Sequence, residues 1–132
     1  MSIFGSNVLF SAVQGQVLLN GQPVAGAEVE RRYRWAWNKS EGKEVARTDT
    51  RGGFAFGAIS QSKGMSGFVP HEPVVFQEIV IRHAGKEYFA WQYTKHNYDE
   101  NGELHGRPMH MICELSRAPV DNGEYFGLCE TR

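Results

Sequence analysis

The sequence predicts an all-β fold, a two-sheet antiparallel Greek-key sandwich of about seven strands, with residues 1–132 forming a single domain. Three observations support this. Glycine (15) and proline (5) interrupt the chain at short intervals, leaving apolar stretches too short for helices and bounded by turn residues. No segment of a dozen residues keeps a 3.6-residue periodicity, whereas several alternate apolar and polar positions with a period of two. A chain of 132 residues suits one domain, burying roughly two-thirds of the surface it exposes unfolded.

The first strand signal is Gln16 to Leu19, followed by Asn20-Gly21, a pair that accepts the positive φ of a tight hairpin turn. Pro23 lacks an N–H and marks an edge or a strand start. From Val29 the alternation places Val29, Arg31, Tyr33, Trp35 and Trp37 on one face, with Glu30, Arg32, Arg34 and Asn38 on the solvated other. Asn38 to Lys43 reads as a polar loop. The next strand ends in a turn at Asp49 to Gly52, where the Asp49 carboxylate can accept backbone N–H groups two residues on, and Phe54 and Phe56 then point to one face.

Residues 60–73 form the longest irregular stretch and, with the polar loop at 94–108, are expected to be surface elements. Between them lies a hairpin turning at Ala84-Gly85, with Ile79 and Ile81 on one face before it and Phe89, Trp91 and Tyr93 on one face after it. Met109, Met111, Cys113 and Leu115 share a face of the following strand, and a last short strand is expected at 124–130.

Fourteen basic against fifteen acidic residues leave a net charge of −1, so no overall field draws the molecule to nucleic acid or anionic lipid. The first residues carry no Lys or Arg before their apolar positions, which argues against a signal peptide, and no apolar run approaches the roughly 20 residues needed to span a bilayer. The expectation is a cytoplasmic protein without membrane insertion. Cys113 and Cys129 leave two readings open: free thiols, or one disulfide closing a short loop, which would point to the periplasm.

The segments GQVLLNGQPVAGAEVE and ARTDTRGGFAF resemble carboxypeptidase regulatory-like domains, the prealbumin- or transthyretin-like β-sandwiches, over about residues 15 to 56. The later segments GKEYFAW, KHNYDENGEL and MICELS are similar to those of a family of small bacterial proteins with that sandwich, giving a family-like core of about 15–118. Intradiol dioxygenases on related sandwiches bind iron through two Tyr and two His. The nearest residues here are Tyr88, Tyr93, His105 and His110, and Pro108 between the two histidines keeps them off a common strand face. Hydroxyisourate hydrolases, also transthyretin-like, end in a Tyr-Arg-Gly-Ser type of motif, whereas this chain ends CETR.

Catalytic and metal motifs are otherwise missing. His71, His83, His96, His105 and His110 form no closely spaced pair, and His110 and Cys113 point to opposite faces of a strand. Asp99, Glu100 and Glu103 lack calcium-loop spacing and read as solvated loop acids. No cofactor and no enzyme activity are expected.

The most unusual stretch is RRYRWAW, where Arg32, Arg34 and Trp37 are candidates for recognising another protein, since Arg and Trp are enriched at binding hot spots. Together with the resemblance, this implies a non-enzymatic interaction module, such as an immunity or adaptor protein of an interbacterial toxin or type VI secretion system. The alternative is a carbohydrate- or surface-binding module using Trp35, Trp37, Trp91 or Tyr93 as stacking platforms.

Overall fold

The computed structural model of the chain describes residues 5–132. They fold as a β-sandwich with no α-helix among them. Strand β1 (Ser6–Phe10) precedes β2 (Val13–Leu19), and β2 turns through Asn20 (φ 52°) and Gly21 (φ 82°) into the short β3 (Gln22–Pro23), the hairpin that the Asn-Gly pair predicts.

Strand β4 (Glu28–Trp35) stops two residues short of the predicted Trp37. The chain turns there, with Lys39 in a left-handed conformation, and the predicted polar loop gives way to β5 (Glu41–Arg47). The Asp49 turn forms as expected, its carboxylate accepting the backbone N–H of Arg51 at 2.9 Å and of Gly53 at 2.8 Å. These donors hold the Asp49 carboxyl below its ordinary pKa, Gly53 contributing most. Strand β6 (Gly53–Phe56) then carries Phe54 and Phe56 into the core, and β7 (Ile59–Ser62) follows.

The remaining strands are β8 (Val75–His83), β9 (Lys86–Lys95), β10 (Met109–Glu114), β11 (Val120–Asp121), β12 (Phe126–Gly127) and β13 (Cys129–Thr131). One sheet runs β11-β12-β9-β8-β4-β5. The other runs β13-β10-β2-β3, with β6 also on β2, and β1 pairs with β7 as a separate ribbon. Between the two large sheets lies one core that includes Val13, Val17, Val29, Ile79, Ile81, Trp91, Met109, Met111, Cys113 and Leu115.

Four details differ from the expectation. The described residues form thirteen strands, four of them only two or three residues long, chiefly because Ser6–Phe10 and Val120–Asp121 pair where the pattern gives no strand, Ile59–Ser62 forms a strand at the start of the stretch read as irregular, and the C-terminal run divides in two. The sandwich is not wholly antiparallel: β2 and β10 pair in parallel from Val13–Met109 to Leu18–Glu114. In the β8–β9 hairpin the register slips between Ile79–Trp91 and Val80–Phe89, leaving Ala90 as an extra residue. That bulge turns Phe89 outward at 41% exposure while Ala90 and Trp91 are both buried, so Phe89 does not share a face with Trp91 and Tyr93.

The fourth difference is the C-terminal strand, which splits between the sheets: β12 joins β9 and β13 joins β10. Gly127 makes the crossing possible, because a Cβ there would lie 2.1 Å from the carbonyl oxygen of Ala90. Tyr125 secures it by donating its hydroxyl to the Cys129 carbonyl at 2.9 Å and accepting the Thr131 N–H at 3.1 Å.

Cys113 and Cys129 face each other across β10 and β13 and form a disulfide, so the free-thiol reading does not hold. The bridge spans 16 residues, and eliminating it with Cys113→Ala/Cys129→Ala is expected to cost about 3 kcal/mol through the freedom regained by the unfolded chain. Guanidinium unfolding of the variant against the oxidised protein checks this.

Candidate functional site

The outer face of the six-stranded sheet is built by the solvent-side residues of β4, β5, β8 and β9. Cross-strand register lines up Arg47, Glu28, Arg82 and Glu87 in one row, Val45, Glu30, Val80 and Phe89 in the next, then Lys43, Arg32, Glu78 and Gln92, and last Glu41, Arg34, Phe76 and Thr94. Opposite charges thus meet directly across strands, the arrangement that stabilises neighbouring pairs. Arg82 donates to Glu28 at 2.8 Å, to Glu87 at 3.0 Å and to Glu30 at 3.2 Å. Arg32 pairs with Glu30 and donates to Glu78 at 2.9 Å, and Gln92 donates to the other Glu78 oxygen at 2.9 Å.

Mutual pairing fixes these charges. Arg32, through its hydrogen bond, holds the Glu30 carboxyl below its usual range against the opposing effect of burial, and the carboxylates led by Glu28 raise Arg82 above its ordinary value. Glu30 is only 6% exposed, a correction to the solvated position that the alternation assigns it. Arg34 differs from Arg32. It has no ion pair among the described residues, and its guanidinium lies over the Phe76 ring, 5.0 Å from the centroid. Phe76 itself is 40% exposed, and the two residues line a shallow depression of about 400 Å³ together with Thr94 and Glu41. Val45 and Phe126 are further exposed apolar groups on this sheet.

Trp37 lies apart from Arg32 and Arg34. It is beyond the end of β4, stacked on His71 with ring centroids 4.3 Å apart, and packs against a second small core of Leu9, Trp35 and Val75. His71 bonds the Val69 carbonyl through Nδ1 at 2.8 Å and the Tyr98 hydroxyl through Nε2 at 2.7 Å, and the same hydroxyl accepts Trp35 Nε1 at 2.9 Å. The 60–73 stretch is therefore tied down at both ends, by β7 and by His71. Its middle leaves Met65 and Phe68 at 67% and 84% exposure.

The inward faces hold a polar network centred on Glu103, which the sequence reading places in solvent. Glu103 is fully buried, not a solvated loop acid. Its carboxylate accepts the Ser11 N–H at 2.9 Å, the Ser11 hydroxyl at 2.6 Å and Gln77 Nε2 at 2.8 Å, and Lys95 Nζ stands 3.6 Å away. Trp91 Nε1 donates to Gln77 Oε1 at 3.1 Å. Lys95 also donates to the Val8 and Asp99 carbonyls at 2.8 and 2.6 Å, and burial pushes its ammonium below the usual lysine value. This network pins the 94–108 loop to the sandwich.

Arg31 is fully buried on the inward face, as its parity predicts. Its guanidinium sits 4.8 Å from the ring centroids of both Phe10 and Phe56, donates to Gly57 O at 2.6 Å and Ser11 O at 3.1 Å, and pairs with Glu44. Burial lowers its pKa, and the Glu44 pairing opposes that shift.

The remaining candidates are dispersed. Tyr88 and Tyr93 are half-buried against the core, where burial pushes the Tyr93 phenol up, while His105 and His110 are exposed. His110 and Cys113 lie on opposite faces of β10. No group of three or more His, Cys, Asp or Glu among the described residues converges on a metal position. Trp35 and Trp91 are 2% and 0% exposed, which removes both from any sugar-stacking surface. No helix among the described residues is long and apolar enough to cross a membrane.

Phe76 and the outward turn of Phe89 are the surface features that sequence reasoning missed. A signal was available for Phe76, which shares its parity with Glu78 and Arg82. No curated protein and no solved structure matches this chain. A family profile matches residues 13–118, and on that match the chain belongs to the family described as Domain of unknown function (DUF6795).

Proposed function

We propose that this protein is a non-enzymatic interaction module that docks another protein on the outer face of its six-stranded sheet, with Arg34 and Phe76 at the centre of the contact. The observation that supports this reading is the contrast between the two arginines. Arg32 is paired with both Glu30 and Glu78, whereas Arg34 rests on an exposed ring and forms no ion pair among the described residues, although Glu41 lies across from it in the register. An arginine on an aromatic platform offers a partner a carboxylate site and apolar area together, the combination enriched at hot spots. The surrounding ion ladder forms a polar rim that is already satisfied, so docking need not reorganise it.

The resemblance to carboxypeptidase regulatory-like sandwiches and to small bacterial proteins favours an immunity or adaptor role in an interbacterial toxin or secretion system. The Cys113–Cys129 bridge favours an oxidising compartment such as the periplasm for that role.

The test is recovery of a stoichiometric protein partner by the tagged chain at native expression, repeated with Arg34→Glu and Phe76→Ser. Each variant is expected to weaken the complex by about 2 kcal/mol, roughly thirtyfold in Kd, while leaving the thermal midpoint nearly unchanged. A partner held equally well by both variants, or no partner at all, overturns the proposal.

A further inference from the structure

The structure assigns a second interaction surface, the free edge of β5, and its occupant is the same edge of another copy of this chain, paired antiparallel about a two-fold axis at Glu44. Strand β5 closes one side of the six-stranded sheet, and no described residue pairs with its outer edge. Trp35 N–H donates to Ser40 O at 2.7 Å and Thr48 N–H to Ala27 O at 3.0 Å, and Arg31–Glu44 and Tyr33–Gly42 are opposed in the same phase. The even-numbered residues therefore turn their main-chain groups toward β4. Glu41, Lys43, Val45 and Arg47 turn theirs to solvent, a row of unpaired donors and acceptors that a strand can complete. The opposite margin of this sheet ends in β11 and β12, two residues each, which offer no comparable template.

Charge selects the occupant and the register. The antiparallel register that overlaps all seven residues of β5 centres on Glu44. In it Glu41 faces Arg47 of the second copy twice, and Lys43 faces Val45 twice, where the lysine stem covers a valine that is 53% exposed in the monomer. All four are outward-facing residues, so the pleat continues across the junction, and up to about eight backbone hydrogen bonds form. Sliding the centre to Val45 sets Lys43 against Arg47, and sliding it to Lys43 sets lysine against lysine. The two Glu44 side chains meet at the axis on the inner face, and each is neutralised by the buried Arg31 of its own copy. The result is an isologous dimer with a twelve-stranded sheet. It does not depend on the docking role of Arg34 and Phe76.

Sedimentation equilibrium over a wide range of concentration tests it. The unaltered protein is expected to dimerise, and Glu41→Lys and Arg47→Glu are each expected to weaken that self-association about tenfold or more by placing like charges opposite one another. Arg47 also lies 3.8 Å from Glu28, so a single variant leaves loss of fold as a competing cause. Mixing the two variants resolves this. The Glu41→Lys copy carries a basic group at both ends of its edge and the Arg47→Glu copy an acidic group at both. Opposite charges then meet at each end of the junction, and a heterodimer of near-original affinity is expected. A protein monomeric at every concentration, a dimer indifferent to both substitutions, or variants that remain monomeric when mixed although each keeps a β-rich circular dichroism spectrum and a cooperative melt, overturns the inference. A dimer retained by both variants places self-association on another surface.

Discussion

Glu103→Ala is expected to destabilise the domain by about 3–5 kcal/mol, a large part of the roughly 5–15 kcal/mol typical of a folded domain. The substitution strips Ser11 and Gln77 of their acceptor and leaves the Lys95 ammonium buried without its counter-charge. Much of the cost is that of the orphaned charge, so Lys95→Met/Glu103→Ala is expected to lose less than the sum of Lys95→Met and Glu103→Ala. Urea unfolding of the four proteins in a double-mutant cycle measures the coupling. Single variants that each cost under about 1 kcal/mol would show the pair to be energetically idle.

Arg31→Ala is the second large effect, at about 3 kcal/mol or more. It opens a void between Phe10 and Phe56, removes two cation–π contacts and takes the guanidinium donors from the Ser11 and Gly57 carbonyls. Glu44 adds little to the loss, since its side chain is 49% exposed and returns to water. Arg31→Met, which keeps the volume and discards the charge, is expected to recover part of the stability. If methionine were as costly as alanine, the polar bonds would outweigh the packing.

Period-two alternation made the sandwich legible because a half-buried strand must present one apolar face. It placed Arg31 inward beside Val29, and it placed Phe54, Phe56 and the Met109 to Leu115 face in the core. It failed where a single residue breaks the period, as at Ala90, since a bulge depends on the partner strand and leaves no mark on its own segment. The buried network was half-legible: Gln77 shares the parity of Ile79, and Lys95 that of Tyr93, so both fall on inward faces. Glu103 was not, because its burial comes from a loop folding back on Ser11, a contact that spans 92 positions in the chain. At the surface, both arginines were visible as outward residues. That one is quenched by carboxylates and the other lies on a ring is a matter of cross-strand register.

The parallel seam between β2 and β10 also governs how the molecule comes into being. Val13 has to wait for Met109 before its side of the layer is completed, so β2 finds this neighbour only after all the intervening strands have been made. Such distant closure delays folding and leaves an apolar ribbon uncovered meanwhile. Folding yield is thus most vulnerable until Met109–Glu114 has been made and has docked on β2.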